Sequence, residues 1–174
     1  MANNLRVDDA DAWKTAMDMT IPAVVTIHSA FPYPFDTDTN RCAQATGFVV
    51  DKDRGYILTN RHVVGEGPYS GRAVFLKGAA ESFVEIVYVE PEHDFALVRY
   101  NVENVSGLPV EEIKLRPKIV EEGLEIRVIG NDAGQTMSIL PGVISRVDCN
   151  PPDYGHNYKD ACKCRQPKKA NIVY

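Results

Sequence analysis

Two residues carry the chemistry this sequence offers. His62 stands in Thr59-Asn60-Arg61-His62-Val63-Val64 and Asp94 in His93-Asp94-Phe95-Ala96-Leu97-Val98. An imidazole can take a proton near neutral pH, and a carboxylate that accepts from one ring nitrogen leaves the other free to do so. The two lie 32 positions apart, so they make a site only if strand ends bring them together. His93 reads as a turn residue beside Asp94. His28 closes an apolar run with nothing acidic or nucleophilic close in sequence, and reads as structural. Cys149, His156, Cys162 and Cys164 offer four nitrogen or sulfur ligands, but their spacing fits none of the strong zinc patterns. No metal and no cofactor is expected.

The elements that must hold such a pair are short strands. Gly47-Phe48-Val49-Val50 and Tyr56-Ile57-Leu58-Thr59 flank the turn-formers Asp51-Lys52-Asp53-Arg54-Gly55, the pattern of a β-hairpin with a glycine-containing loop. His62 falls just past the second strand, where a side chain is held firmly enough for general-base work. Ala23–His28, Ala73–Leu76, Phe83–Val89 and Phe95–Val98 complete six strands between residues 23 and 100. Strands that short, with almost no helix between them, predict an all-β barrel or sandwich. The spacing predicts one amphipathic helix over Asp8–Met19, with Trp13, Ala16 and Met17 on one side, and an exposed loop over Phe31–Arg41.

Domain boundaries follow from the same pattern. Residues 1–20 form an N-terminal helix or extension, 21–100 a first lobe, 101–123 a connection rich in Pro, Glu, Lys and Gly, and 124–149 part of a second lobe. That second lobe holds strands at Leu124–Gly130 and Met137–Val147, the latter interrupted at Pro141-Gly142. Residues 150–174 present no apolar face and are expected to be a disordered tail. The formal charge is −5, with a basic tail of +4 over residues 156–174 that leaves −9 on the body. An acidic body argues against nucleic acid as a partner. The amino terminus lacks a basic start followed by an apolar run, and no stretch approaches the ~20 residues of a membrane span, so a soluble, intracellular chain with no membrane partner is expected.

In ATGFVV…GYILTNRHVV and HDFALV, continued by Gly123–Gly134 and Ser138–Gly142, the chain resembles the HtrA/Deg (protease Do-like) serine proteases of the trypsin fold, and within them the large fungal nuclear and plant members. The likeness covers about residues 9 to 155. It implies a trypsin-like double β-barrel, with the first barrel complete, the second truncated and a short N-terminal helix. It also implies that His62 is the general base and Asp94 the carboxylate that orients it. Unfolded or peptide protein substrates, a homo-oligomer built through the N-terminal segment, and a nuclear or plastid location are implied with it.

The sequence departs from that pattern at the nucleophile. The family sets its serine in a G-x-S-G turn whose amides make the oxyanion hole. Ser29, Ser70, Ser82, Ser106, Ser138 and Ser145 are the serines here, none in a glycine-rich turn. Ser138 and Ser145 read as strand residues, whose amides belong to a ladder rather than to an oxyanion. The likeness ends at Gly155, and residues 156–174 look like a replaced end. Three readings stay open: an HtrA-like endopeptidase by descent with little or no activity in this polypeptide, a non-catalytic binding subunit, and a truncated gene product. The last predicts exposed apolar surface around Ile126–Gly130 and Met137–Val147.

Overall fold

A computed structural model describes residues 7–32, 41–65, 68–91, 93–131 and 137–147. Helix α1 (Val7–Thr20) leads through a short 3-10 turn into strands β1 (Val24–Phe31), β2 (Arg41–Asp51) and β3 (Tyr56–Thr59). After a single helical turn, α2 (Arg61–Val64), come β4 (Ser70–Phe75), β5 (Ala80–Val89) and β6 (Ala96–Tyr100). These six strands close into an antiparallel barrel in the order β1-β2-β3-β6-β5-β4. Strands β7 (Glu125–Gly130) and β8 (Ser138–Val143) pair separately as a two-stranded sheet.

The barrel forms because every strand offers alternate apolar side chains to its inside. Val25, Ile27, Val49, Ile57, Ala73, Phe75, Ala96 and Val98 are all at most 1% exposed. Burying a side chain of the Val, Ile or Phe class stabilises by about 1.5–3 kcal/mol, so this interior is the main source of stability. It is crowded: a Cβ on Gly47 would stand 2.7 Å from both Ile27 Cδ1 and Ile57 Cγ2. Gly47 is therefore a packing requirement of the hairpin.

The β2–β3 turn carries the chemistry its sequence promised. Asp51 Oδ1 accepts from the Arg54 amide at 2.9 Å, and Gly55 takes φ +74°, where a side chain would run into the Tyr100 carbonyl. The Gly55 carbonyl in turn accepts from the Tyr100 amide. Strand β2 starts earlier than the apolar pattern suggests. Residues 41 to 46 pair with the outer half of β1, Phe31 opposite Arg41, so both ends of the expected Phe31–Arg41 loop are strand. Backbone pairing carries a segment that side-chain propensity would not.

The connection from 101 to 123 packs onto the first barrel rather than hanging free. Val105 and Val110 join its core, the Ile113 amide donates to the Val49 carbonyl, and Lys52 bridges to Glu111 at 2.9 Å. In the second sheet β8 runs straight through Pro141, opposite Arg127, where an interruption was expected. A proline is tolerated there because the strand has, among the described residues, a partner on one side only. Ser145 lies two residues beyond β8 rather than in a strand, while Ser138 begins it. Leu140 and Val143 on β8 are more than half exposed. Arg127 of β7 stacks on the Trp13 ring at 4.0 Å, which docks α1 against this sheet. Residues 148–174, including Cys149, His156, Cys162, Cys164 and the expected tail, lie outside the described residues.

Candidate active site

Strand pairing brings the two chemical residues together. Thr59, the last residue of β3, sits opposite Ala96, the first of β6. His62 follows β3 by three residues and Asp94 precedes β6 by two, so antiparallel register delivers both to the same end of the barrel. The sequence distance of 32 residues thereby becomes a contact of 2.7 Å between His62 Nδ1 and Asp94 Oδ2.

Asp94 is the inner member of the pair. Its side chain is 3% exposed, whereas the His62 side chain is 66% exposed. A carboxylate at that depth must have its lone pairs met. Oδ2 accepts from the ring and, at 3.3 Å, from Asn60 Nδ2; Oδ1 accepts from the His62 amide at 3.0 Å. The last of these bonds is a helix cap supplied from the neighbouring strand's end. Asn60 is the N-cap of α2 with an extended backbone, the residue type that ordinarily caps its own helix, yet its side chain makes no capping bond. The second amide of the turn, that of His62, is met by Asp94 instead.

This arrangement selects the ring's tautomer. With Asp94 ionised, the short Nδ1 contact requires a proton on Nδ1, so the neutral imidazole keeps its lone pair on Nε2. Among the described residues Nε2 has no hydrogen-bond partner, and the exposed ring presents it outward. An imidazole held in this way can accept a proton at Nε2.

The other residues singled out from the sequence fall elsewhere. His93 turns away from the pair: its Nδ1 lies 3.6 Å from Glu90 Oε1 and its ring stacks on Phe95 at 6.4 Å. His28 sits half-buried in β1, out of phase with the buried Ile27, as a structural residue would. No serine hydroxyl among the described residues is bonded to His62. Ser138 Oγ is engaged by the Gly130 carbonyl at 3.3 Å, and Ser82 Oγ accepts from the Asn101 amide and Asn104 Nδ2. Cys42 is exposed and unpaired, and no group of three or more metal-ligating side chains occurs among the described residues.

Two neighbours of the histidine were not legible as part of the site. They are Asn60 and Arg61, two residues and one residue before it. In the fold Asn60 Nδ2 bonds the Asp94 carbonyl at 3.0 Å, and Arg61 Nη1 bonds the Pro91 carbonyl at 2.8 Å and the Glu90 carbonyl at 3.4 Å. The available signal was only their position, one and two residues before His62.

Similarity to known proteins extends over most of the chain. The family model described as a trypsin-like peptidase domain matches residues 45–166. Over 152 residues the chain is 47% identical to the pro-apoptotic serine protease NMA111 of Ajellomyces capsulatus, covering 87% of this chain and 15% of that protein. The corresponding protein of Aspergillus fumigatus matches at the same identity and coverage. The chain thus spans about 15% of the length of these relatives. Among solved structures, the HtrA-type protease AlgW with a tripeptide superposes with a TM-score of 0.66 at 21% identity, over 84% of this chain and 43% of that one. Deg5 superposes with a TM-score of 0.65 at 23% identity, over 86% and 70%. Both show a shared fold.

Proposed function

Since the chain belongs to the trypsin-like peptidase domain family, we propose that it supplies the acid–base half of an HtrA-like serine endopeptidase. His62 Nε2 takes the proton from a serine hydroxyl as that oxygen attacks a peptide carbonyl, and returns it to the departing amine. Asp94 holds the ring in the required tautomer and stabilises the imidazolium formed in between. The observation that carries this reading is the 2.7 Å contact between His62 Nδ1 and the buried Asp94 carboxylate. Peptide segments of protein substrates are the substrate class, in keeping with the likeness to an HtrA-type protease solved with a tripeptide. The Trp13 helix is the natural element for self-association, because several of its residues remain exposed beside the docked ring.

The nucleophile is the part these 174 residues do not offer. None of the six serines stands in a G-x-S-G turn, and a serine without an oriented base and oxyanion donors is a poor nucleophile. We therefore expect the 174-residue polypeptide to be inert toward peptide bonds by itself. Incubating it with a fluorophosphonate probe and mapping adducts by mass spectrometry tests this directly. No serine adduct is expected. An adduct on one serine that disappears in His62→Ala would mean that these residues assemble a complete catalytic apparatus, and would overturn the expectation of inertness.

A further inference from the structure

We propose that Asn60 is the positioning residue of this dyad, an inference that rests on reading His62 and Asp94 as the base pair. Its one side-chain amide bonds Asp94 twice: Nδ2 donates to the Asp94 backbone carbonyl at 3.0 Å and to carboxylate Oδ2 at 3.3 Å. A donor shared between a residue's own backbone and its own carboxylate fixes the rotation of that side chain. The carboxylate is thereby turned so that Oδ2 meets the imidazole at 2.7 Å while Oδ1 meets the His62 amide at 3.0 Å.

The orientation of the amide is set by chemistry. Turning it over would place its carbonyl oxygen against two acceptors, the Asp94 carbonyl and Oδ2, and leave both without a donor. The cost of this arrangement is visible in α2, where Asn60 forgoes the capping bond that its position offers. Arg61 adds a second tie. Through its bonds to the Glu90 and Pro91 carbonyls it holds the backbone that leads into Asp94, so the two residues before His62 both grip the segment carrying its partner. Neither touches the reacting atoms; they act through Asp94.

The consequence is a tautomer preference, which a purely structural role would leave unchanged. Nitrogen-15 NMR of the 174-residue chain with labelled histidine reads the ratio of the Nδ1–H to the Nε2–H form of neutral His62. In the parent chain the Nδ1–H form dominates. Asn60→Leu keeps the volume but removes the donor, and the minor form is expected to rise about fivefold, the ratio that one ordinary hydrogen bond sustains. Asn60→Asp, nearly identical in shape, sets an acceptor against Oδ2 and moves the ratio the same way. Asn60→Gln restores a donor and recovers part of the preference. The amide spectrum of the barrel strands stays as in the parent. A parent-like ratio in Asn60→Leu, or in Asn60→Asp should the leucine variant fail to fold, overturns the positioning role. A parent chain with no excess of the Nδ1–H form would instead overturn the base-pair reading.

Discussion

Removing Asp94 should harm the fold far more than removing His62, although they are two halves of one pair. Asp94→Ala deletes the acceptor of three hydrogen bonds, those from the His62 ring, the His62 amide and Asn60 Nδ2. The ring is 66% exposed, so water replaces the lost partner at little cost. Asn60 Nδ2 keeps its bond to the residue 94 backbone carbonyl, so the donor left unpaired is the partly buried His62 amide, which costs about 1–3 kcal/mol. Relief from holding a carboxylate at 3% exposure offsets part of this. The expected net loss is about 1–3 kcal/mol, inside the ordinary range of destabilising single substitutions. For a chain of this size that lowers the melting temperature by roughly 2–12 °C. His62→Ala leaves Asp94 with two of its three donors and strips away a mostly exposed ring, so about 0.5–1 kcal/mol is expected. Urea unfolding followed by far-ultraviolet circular dichroism measures both, with a common slope as the check that the unfolded states match. Equal losses for the two variants, or a larger loss for His62→Ala, would refute the view that Asp94 is structurally embedded and His62 is not.

Further outcomes follow from the packing. Gly47→Ala pushes a methyl between Ile27 and Ile57 and should cost about 1–3 kcal/mol by overpacking, read as a lower urea midpoint. Asn131→Ala removes the bond from Asn131 Nδ2 to Thr26 Oγ1 at 2.8 Å, which ties the second sheet to the barrel. Amides of β7 and β8 should then exchange faster in deuterium while barrel amides do not. The hydroxyls of Tyr69 and Ser29 are buried neighbours, neither in hydrogen-bonding geometry, and burial holds the Tyr69 phenol above its ordinary value against a weaker opposing effect of Ser29. A raised folded-state value means stability that is whole below about pH 10, where the unfolded phenol titrates, and lost as pH climbs through the folded value. Melts above pH 10 should therefore show a shallower alkaline decline for Tyr69→Phe. Tyr100, raised by burial, and Tyr88, raised by its bond to Glu90, act in the same sense and keep part of the decline.

The six barrel strands were readable because each one buries alternate residues, and the alternation survives in Ala73–Phe75 and Ala96–Tyr100 without any tertiary information. What alternation misses is pairing that backbone alone sustains. Cys42, Ala43 and Gln44 are exposed and have little strand preference, yet they extend β2 because β1 lies alongside with its groups to satisfy. The bulge between Ile86 and Tyr88, which leaves Ile86, Val87 and Tyr88 all partly exposed, likewise breaks a period of two that the sequence continues. At the site, His62 and Asp94 could be named because the stretches around them resemble those of the HtrA-like proteases, since a histidine and an aspartate 32 positions apart carry little signal by themselves. Asn60 and Arg61 could not, since their roles depend on what the β5–β6 turn brings to them. An asparagine before a helical turn has a sufficient local explanation, and only the fold reveals that it is not used.

That diversion bears on how an intact dyad is to be interpreted. Asp94 serves two masters: the ring of His62, through Oδ2, and the amide of His62, through Oδ1. The second service is to the fold, because α2 has no side-chain cap of its own and its turn stands between two barrel strands. A chain that never cleaved a peptide bond would still need a buried acceptor at residue 94 to satisfy that amide, and Asn60 to orient it. The demands of the fold therefore account for this geometry by themselves, and the proposed role of His62 has to be read from reactivity rather than from the contact. The exposed imidazole is the member that only chemistry requires. Its replacement is where fold and function separate: a loss of reactivity in His62→Ala, in any assembly that supplies the serine, accompanied by an almost unchanged melt.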